Sequence, residues 1–266
     1  MVRVAEPAPA GPVRVGLVQA RLRWRAPEAN REHLQALLAD HLPELDLAVL
    51  PETFSTGFLG DSESSAEGMD GATVAWMRSL ASEYDCVLAG SAVIATPDGL
   101  RNRLLWASPG GEVGFYDKRH LFAYAGEDQR YTAGCERKVW AWHGWRVCPQ
   151  VCYDIRFPVW CRNRSDYDLL VVVANWPAPR VDAWSTLLRA RAIENQCFVV
   201  GVNRVGKDGH GKDYPGQSVV LDPLGQPLLE LGDEERVGSC RLEPERLREV
   251  RERLPFLADA DPFELQ

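Results

Sequence analysis

Residues 169–174 read Leu-Leu-Val-Val-Val-Ala, six apolar residues in succession with no polar side chain among them. A strand of this composition is apolar on both faces, which is typical of a strand buried within a layered sheet. A long helix is predicted at residues 181–196, and a further strand follows it at residues 197–203. Strands interleaved with helices in this way predict a layered α/β fold, although the pattern leaves the order of the strands open.

The rest of the chain alternates between strands and helices in the same way. Further strands are predicted at residues 13–19, 46–50, 86–95, 103–107, 112–116, 145–151, 217–221, 226–231 and 236–242. Further helices are predicted at residues 27–42, 71–83, 157–164 and 243–253. The strands at 103–107 and 112–116 flank Ser108-Pro-Gly-Gly111, a turn signal that predicts a hairpin.

The composition is that of a globular protein. The chain has 266 residues, a formal net charge of −8, 45% hydrophobic residues and 26% charged residues. These values exclude a disordered or fibrous chain, and the acidic excess argues against nucleic acid or anionic lipid as a partner. No stretch approaches the ~20 apolar residues of a membrane span. Because no linker divides the chain, residues 13–266 are predicted to form one domain after a flexible N-terminal arm at residues 1–12.

Two further features of the sequence indicate the cellular compartment of the protein. The proline-rich arm lacks the apolar segment of a signal peptide. The seven cysteines are odd in number and irregularly spaced, which is typical of a reducing compartment and not of a disulfide framework. Both features predict a cytoplasmic protein.

Several common site motifs are missing from the sequence, among them the phosphate-binding loop, the dinucleotide-binding fingerprint and the serine nucleophile elbow. The stretch Gly209-His-Gly-Lys-Asp-Tyr-Pro-Gly216 has the wrong spacing for a phosphate cradle and is predicted to be a surface loop. Cys148 and Cys152 would share one face of a strand, but no second pair of ligands accompanies them. No metal site is therefore predicted.

Three residues are of types suited to nucleophilic catalysis. Cys152 ends an apolar strand just before a predicted helix, where the helix N-terminus favours a thiolate. Glu52 follows the strand at 46–50, a position where α/β proteins place ligand-facing groups, and Lys118 follows the strand at 112–116. Each residue could instead have a purely structural role. Cys152 could be a thiol of the core, Glu52 could cap the following loop, and Lys118 could lie in a solvated turn.

Taken together, these segments resemble the nitrilase superfamily of carbon–nitrogen hydrolases. The matching stretches, in the family's order, are Pro51-Glu52, Asp117-Lys-Arg-His-Leu-Phe122 and Cys152-Tyr-Asp-Ile-Arg-Phe-Pro158. Supporting stretches are Gly126-Glu127, Asn175-Trp-Pro177 and Ala190-Arg-Ala-Ile-Glu-Asn-Gln196. Residues 157–163 and 174–180 resemble, more narrowly, the omega-amidase branch. The resemblance extends over nearly the whole chain, roughly residues 13–254.

The resemblance implies a four-layer α-β-β-α sandwich that carries a Glu52–Lys118–Cys152 triad. Cys152 is then the nucleophile and Glu52 the general base. Lys118 faces the tetrahedral oxyanion, together with the backbone N–H of Tyr153. Glu127 is implied as a fourth polar residue, which orients Lys118 or the attacking water. The family's chemistry requires no metal and no organic cofactor.

The family's substrate in this branch is the omega-amide of a 2-oxo dicarboxylic acid, such as 2-oxoglutaramate. The expected activity is that of an amidase, which releases ammonia from this small-molecule substrate through a thioester intermediate. A nitrilase, an N-carbamoyl hydrolase and a non-catalytic binding module of the same fold are the alternatives. The superfamily also pairs two sandwiches through a helical layer, so a homodimer is expected through the helix at 181–196.

Such a substrate needs a cation that faces its α-carboxylate. Arg156, Arg180 and Arg189 are the candidates, and the sequence does not choose among them. Each has a structural salt bridge as its alternative, for example between Arg156 and Glu194. Trp176 and Tyr124 are candidates to line the pocket, and core packing explains Trp176 equally well.

Overall fold

The protein is built around two β-sheets. The computed structural model describes Pro9, residues 11–58 and residues 65–265, so most of the predicted arm at 1–12 lies outside the described residues. Within those ranges, one six-stranded sheet contains β1 (Val13–Gln19), β2 (Leu47–Val49), β3 (Val87–Thr96), β4 (Gly99–Ala107), β5 (Val113–Asp117) and β14 (Arg236–Leu242), in the spatial order β14-β1-β2-β3-β4-β5. The other contains β6 (Trp140–Trp142), β7 (Trp145–Val151), β8 (Leu169–Ala174), β9 (Phe198–Asn203), β12 (Val219–Leu221) and β13 (Pro227–Glu230), in the order β13-β12-β9-β8-β7-β6.

Helices and one small hairpin complete the fold. The helices are α1 (Pro27–Leu38), α2 (Ala72–Tyr84), α3 (Pro158–Cys161), α4 (Val181–Asn195) and α5 (Pro244–Arg253). The hairpin pairs β10 (Val205–Lys207) with β11 (Asp213–Pro215) apart from both large sheets. Among the described helices, none combines the length and the apolar character that a bilayer crossing requires.

The two sheets face each other across an apolar core. Val15 of β1 lies on one side of this core, and Val171 and Val173 of β8 lie on the other. Leu170 and Val172 of β8 belong instead to a second cluster, on the opposite face of their sheet. The strand therefore buries both faces, as its sequence predicts, and each fully buried side chain of this size contributes about 1.5–3 kcal/mol.

Helices cover the outer faces of both sheets. Leu34 of α1 and Met77 of α2 pack in one cluster with residues of the first sheet. Trp184 and Leu188 of α4, one helical turn apart, pack with the outer face of the second sheet. The order helix, sheet, sheet, helix confirms the predicted four-layer α-β-β-α sandwich.

The direction of the strands determines where polar residues can gather. The strands β1, β2 and β3 run parallel to one another, and so do β7, β8 and β9. Segments that follow parallel strands leave the sheet at the same edge. Glu52 follows β2, Cys152 follows β7 and Asn175 follows β8, so all three residues lie at this edge of the sheets.

Some elements differ from their predicted bounds. The helix α1 ends at Leu38 and not at residue 42, because residues 42–44 form a separate 3-10 turn that contains Pro43. The helix predicted at 157–164 is only the four residues of α3, because a 3-10 turn at Cys152–Arg156 precedes it and Arg162 is already extended. The short strands β6, β10 and β11 have too few residues to show a period and are not predicted.

Candidate active site

Glu52 is fully buried and is bonded to groups from three other parts of the chain. Its Oε1 accepts hydrogen bonds from Lys118 Nζ at 2.9 Å and from Asn102 Nδ2 at 2.8 Å. Its Oε2 accepts one from the backbone N–H of Asn175 at 2.8 Å. A loop-capping carboxylate would instead bond to N–H groups of its own loop. The arrangement therefore favours a site residue over a cap.

Lys118 lies immediately after β5 and is only 1% exposed, which excludes a solvated turn. In addition to its bond with Glu52, its Nζ donates to Glu127 Oε1 at 3.0 Å and to Oε2 at 2.9 Å. The ring of Phe58 lies 5.4 Å from the same nitrogen. One buried ammonium thus joins two buried carboxylates, and it also lines the cavity that contains Cys152.

Asn102 completes this cluster and is not identified in the sequence analysis. Its Nδ2 donates to Glu127 Oε1 at 3.1 Å as well as to Glu52. The residue lies on β4, where Leu104 and Trp106 are core residues at the same side of the pleat. A polar residue at an otherwise apolar, core-facing position of the strand is the feature of the sequence that could have identified Asn102.

Cys152 occupies a tight turn at the end of β7. Its φ of 46° lies in the left-handed region, which is uncommon for a residue other than glycine. The buried carboxylate of Asp154 accepts hydrogen bonds from the N–H of Val151 at 3.0 Å, the hydroxyl of Tyr116 at 2.8 Å and the N–H of His120 at 2.9 Å. Asp154 therefore fixes the cysteine turn to the end of β5 and to the loop that carries Lys118.

The charges of the cluster act on one another. Burial lowers the pKa of Lys118, but Glu127 and Glu52 outweigh it, so this pKa lies well above its usual value. Burial raises the pKa of Glu127, and Lys118 offsets this only in part. Burial and then the charge of Glu52 raise the pKa of Cys152 well above its usual value, although Lys118 acts in the opposite direction.

Without substrate, the side chain of Cys152 is therefore a thiol. Two carboxylates surround one ammonium, so a thiolate at Cys152 would add a second uncompensated negative charge in a buried place. The prediction that the helix N-terminus would favour a thiolate is wrong for the resting site, because a single turn of 3-10 helix cannot outweigh burial and two carboxylates. An attack by this sulfur requires a base.

A cavity of about 470 Å³, its open mouth included, leads to Cys152. Its walls combine aromatic rings with cations and are formed by Phe58, Lys118, Phe122, Ala125, Cys152, Tyr153, Arg156, Asn175, Trp176, Pro177, Arg180, Lys212 and Tyr214. Trp176 is both a wall residue and a core residue, since it is 3% exposed and its ring lies 5.6 Å from that of Trp184. Mostly apolar walls with a few polar groups are typical of a small-molecule site.

Two of the three candidate arginines line this cavity. The guanidinium of Arg156 lies 4.9 Å from the ring of Trp176, and that of Arg180 lies 5.2 Å from the ring of Phe122. The alternative pairing of Arg156 with Glu194 is wrong, because Glu194 pairs with Arg191 at 2.7 Å. Within the described ranges, neither cavity arginine forms an ion pair.

Two predicted site residues lie elsewhere. Tyr124 is 88% exposed and outside the cavity, because it lies in a 3-10 turn that ends at Gly126. The positive φ of 73° at Gly126 reverses the chain, so Glu127 points inward while Tyr124 points outward. Arg189 lines a separate depression between α4 and the strands β12 and β13.

Other cavity residues come from parts of the chain where the sequence predicts no site. Phe58 follows the Glu52 loop, while Lys212 and Tyr214 come from the hairpin of β10 and β11. The stretch 209–216 was predicted to be a surface loop, which holds for the exposed residues 209–213 but not for Tyr214, which is 5% exposed. No motif marks these residues, so only their placement reveals them.

The remaining cysteines and acidic groups suggest no second centre. Among the residues that the structure describes, no three His, Cys, Asp or Glu side chains are grouped so as to hold a metal. The thiol of Cys148 is buried, which raises its pKa to about 11, and accepts a hydrogen bond from Gln150 Nε2 at 3.6 Å. This is the environment of a core cysteine.

Comparison with known proteins agrees with this geometry. The family model "Carbon-nitrogen hydrolase" matches residues 14–252. The chain is 47% identical to omega-amidase YafV of Yersinia enterocolitica, over 94% of this chain and 98% of that protein. It is 31% identical to 2-oxoglutaramate amidase of Bacillus subtilis, over 92% of this chain and 96% of that protein.

A solved structure supports the same assignment. XC1258 from Xanthomonas campestris, a CN-hydrolase superfamily protein with an arsenic adduct in its active site, superposes with a TM-score of 0.94 at 49% identity. The superposition covers 96% of this chain and 99% of the other. Since the family model and the relatives both span nearly the whole length, the chain belongs to the carbon-nitrogen hydrolase family, as its motifs predicted.

Proposed function

We propose that the protein is an amidase that hydrolyses the terminal amide of a 2-oxo dicarboxylic acid, such as 2-oxoglutaramate, to the free acid and ammonia. The observation that carries this proposal is the buried cluster at the end of the cavity. There the thiol of Cys152 lies with Glu52 and Lys118, whose charged groups are 2.9 Å apart. The names of the most similar relatives, omega-amidase and 2-oxoglutaramate amidase, point to the same substrate class.

In the first half of the reaction, Cys152 Sγ attacks the amide carbon while Glu52 accepts the thiol proton. The raised pKa of Cys152 makes this base necessary, because little thiolate exists before substrate binds. A new C–S bond forms and the carbonyl π electrons move to oxygen. Glu52 then returns the proton to the amide nitrogen, so that the C–N bond breaks with ammonia as the leaving group and a thioester remains.

The negative oxygen of the tetrahedral intermediate needs donors that are already in position. Lys118 Nζ carries a full positive charge, and the Tyr153 N–H lies in the first turn of its 3-10 helix, where N–H groups lack helical partners. Each such donor is worth about 2.7–4 kcal/mol in the transition state. We assign the oxyanion site to these two groups.

In the second half, Glu52 removes a proton from water and the resulting hydroxide attacks the thioester. The C–S bond breaks, the proton returns to sulfur and the carboxylic acid leaves. Glu127 does not need to touch the substrate in this scheme. Its two oxygens hold Lys118 and its Oε2 also accepts the Phe122 N–H at 2.6 Å, so we assign it the role of positioning Lys118.

The far end of the substrate carries a carboxylate, and the cavity supplies cations for it. Arg156 and Arg180 both line the cavity, each with its guanidinium over an aromatic ring. These rings hold the guanidinium groups in place without neutralising them. We propose Arg156 and Arg180 as the carboxylate-binding residues, with Trp176 as part of the wall.

A panel assay of ammonia release tests the proposal. The wild-type protein is offered 2-oxoglutaramate, other short amides, aliphatic nitriles and N-carbamoyl amino acids. Preferred turnover of omega-amides supports the amidase, whereas preferred turnover of nitriles or carbamoyl compounds would assign one of the alternatives from the same superfamily. No turnover of any compound, together with ligand binding, would indicate a non-catalytic binding module.

We also propose a single domain over residues 13–266, a homodimer and a cytoplasmic location. For the dimer, α4 is the candidate surface, because Ile193 on α4 and Val159 on the adjoining α3 are large apolar residues that stay exposed. The adjoining helices are linked by Arg162, whose Nη1 donates to the Glu194 carbonyl at 2.7 Å. The ground for the location remains the odd number of irregularly spaced cysteines.

A further inference from the structure

The hairpin of β10 and β11 borders the cavity and has no role in the mechanism above. Lys212, which directly precedes β11, and Tyr214 within it both contribute to the cavity wall. The reaction at the amide uses one cation, Lys118, and that ammonium is already committed to two carboxylates. A further lysine at the wall is therefore available for another part of the substrate.

The alternation of the strand directs Lys212 toward the cavity. Asp213 lies between Lys212 and Tyr214, and its carboxylate pairs with Lys207 Nζ at 2.8 Å on an exposed surface. Successive side chains of an extended segment point to opposite sides. Lys212 and Tyr214 therefore share the other side, and Tyr214 is buried against the cavity there.

The hairpin is held firmly in this position. Asp208 Oδ1 accepts hydrogen bonds from the N–H of His210 at 2.8 Å and from the N–H of Lys212 at 3.0 Å, while its Oδ2 accepts the Tyr214 hydroxyl at 3.0 Å. The buried guanidinium of Arg204 lies 4.8 Å from the Tyr214 ring. Arg204 also donates to the Lys207 carbonyl at 3.0 Å. A cation on a preorganised turn loses little freedom when it binds an anion.

Within the described part of the protein, the ammonium group of Lys212 forms no ion pair. No carboxylate within the described ranges forms an ion pair with it, whereas the other lysine of the hairpin, Lys207, has Asp213 as its partner. We propose that Lys212 is a specificity-determining residue that binds the carboxylate of the substrate, at the end remote from the reacting amide. The proposal rests on the proposed function and extends its carboxylate site from two arginines to a residue of the hairpin.

The test compares two substrates that differ only in the carboxylate. In 4-oxopentanamide a methyl group replaces the carboxylate of 2-oxoglutaramate. We expect Lys212→Met to raise KM for 2-oxoglutaramate about fivefold, the effect of a partly exposed ion pair, and to leave kcat within about twofold because the contact is equal in ground and transition states. Both constants for 4-oxopentanamide should stay at the wild-type values.

Lys207→Met is the matched control, since it removes a lysine from the same hairpin on the side away from the cavity. It should leave both substrates unaffected. The inference is overturned if Lys212→Met leaves KM for 2-oxoglutaramate unchanged, or if it raises KM equally for both amides, which would make Lys212 a wall residue without a charge role.

A second measurement requires no turnover. The dicarboxylate 2-oxoglutarate should protect Cys152 from iodoacetamide, and Lys212→Met should require about fivefold more of it than wild type or Lys207→Met, the loss expected for one such ion pair. Equal protection in all three proteins would contradict the inference. If wild type releases no ammonia from 2-oxoglutaramate yet shows this difference in protection, the proposed function fails and the carboxylate site stands.

Discussion

Replacing Lys118 by methionine removes one positive charge from the centre of the buried cluster while keeping the length of the side chain. The ammonium donates three hydrogen bonds, one to Glu52 and two to Glu127, at 2.9–3.0 Å. The substitution therefore leaves two buried carboxylates without their shared cation. Because a thioether fills nearly the same space, the cavity walls should keep their shape.

The expected loss of activity has two sources in this geometry. The tetrahedral intermediate loses one charged oxyanion donor, and loss of a single donor reduces kcat by about a hundred- to a thousandfold. Glu127 also loses the charge that opposes its protonation, and burial already raises the pKa of this carboxyl group. We therefore expect kcat to fall at least about a hundredfold and KM to change less, because the lost interaction forms mainly in the transition state.

The sign of the pH effect follows from the same charges. Removing a cation raises the pKa of a neighbouring carboxyl group, so the pKa of Glu127, which burial raises and the Lys118 charge lowers, should lie higher in the variant than in wild type. Alkylation of Cys152 near neutral pH should slow, because the Lys118 charge lowers the pKa of the thiol and its loss raises this pKa further.

The assay measures ammonia release from 2-oxoglutaramate across pH, with circular dichroism to establish that the variant is folded. Lys207→Met serves as the control for loss of a lysine charge outside the site. A folded Lys118→Met protein with normal kcat and a raised KM would refute the reasoning. Lys118 would then be a substrate-binding cation, and the oxyanion assignment would be wrong even with Cys152 as the nucleophile.

Three further outcomes are expected. Cys152→Ala should abolish ammonia release while the melting temperature stays near that of wild type. Cys152→Ser should be nearly inactive, because an alkoxide is much harder to form than a thiolate beside the same base. Activity of Cys152→Ala within about tenfold of wild type would contradict the assignment of Cys152 as the nucleophile. The iodoacetamide rate of wild-type Cys152 should rise with pH up to and beyond pH 9, since its raised pKa leaves little thiolate at neutral pH; a plateau below pH 7 would show the opposite shift. Light scattering at micromolar concentration should report a dimer that Ile193→Glu weakens, and a stable wild-type monomer would contradict the α4 surface.

The sequence predicted most of the secondary structure and pointed to Glu52, Lys118 and Cys152 as the central candidates for the site. The strand β8 has its predicted bounds and buries both faces, as a run of six apolar residues predicts. Glu52, Lys118 and Cys152 could be named because each lies at or shortly after the end of a predicted strand, and their order along the chain resembles one family. Local periodicity and short motifs carry this information, since both depend on neighbouring residues only.

Tertiary structure alone decided which other side chains share the site. Asn102 bonds to both carboxylates from within a hairpin strand, and Lys212 reaches the cavity on a hairpin that has no motif. Tyr124, a candidate to line the pocket, is 88% exposed, and Gly126 reverses the backbone between it and the buried Glu127. The contacts that define the site join residues far apart in sequence, such as Glu52 and Asn175, which are separated by 123 positions. Such contacts form only when both sheets have packed, so no local pattern encodes them.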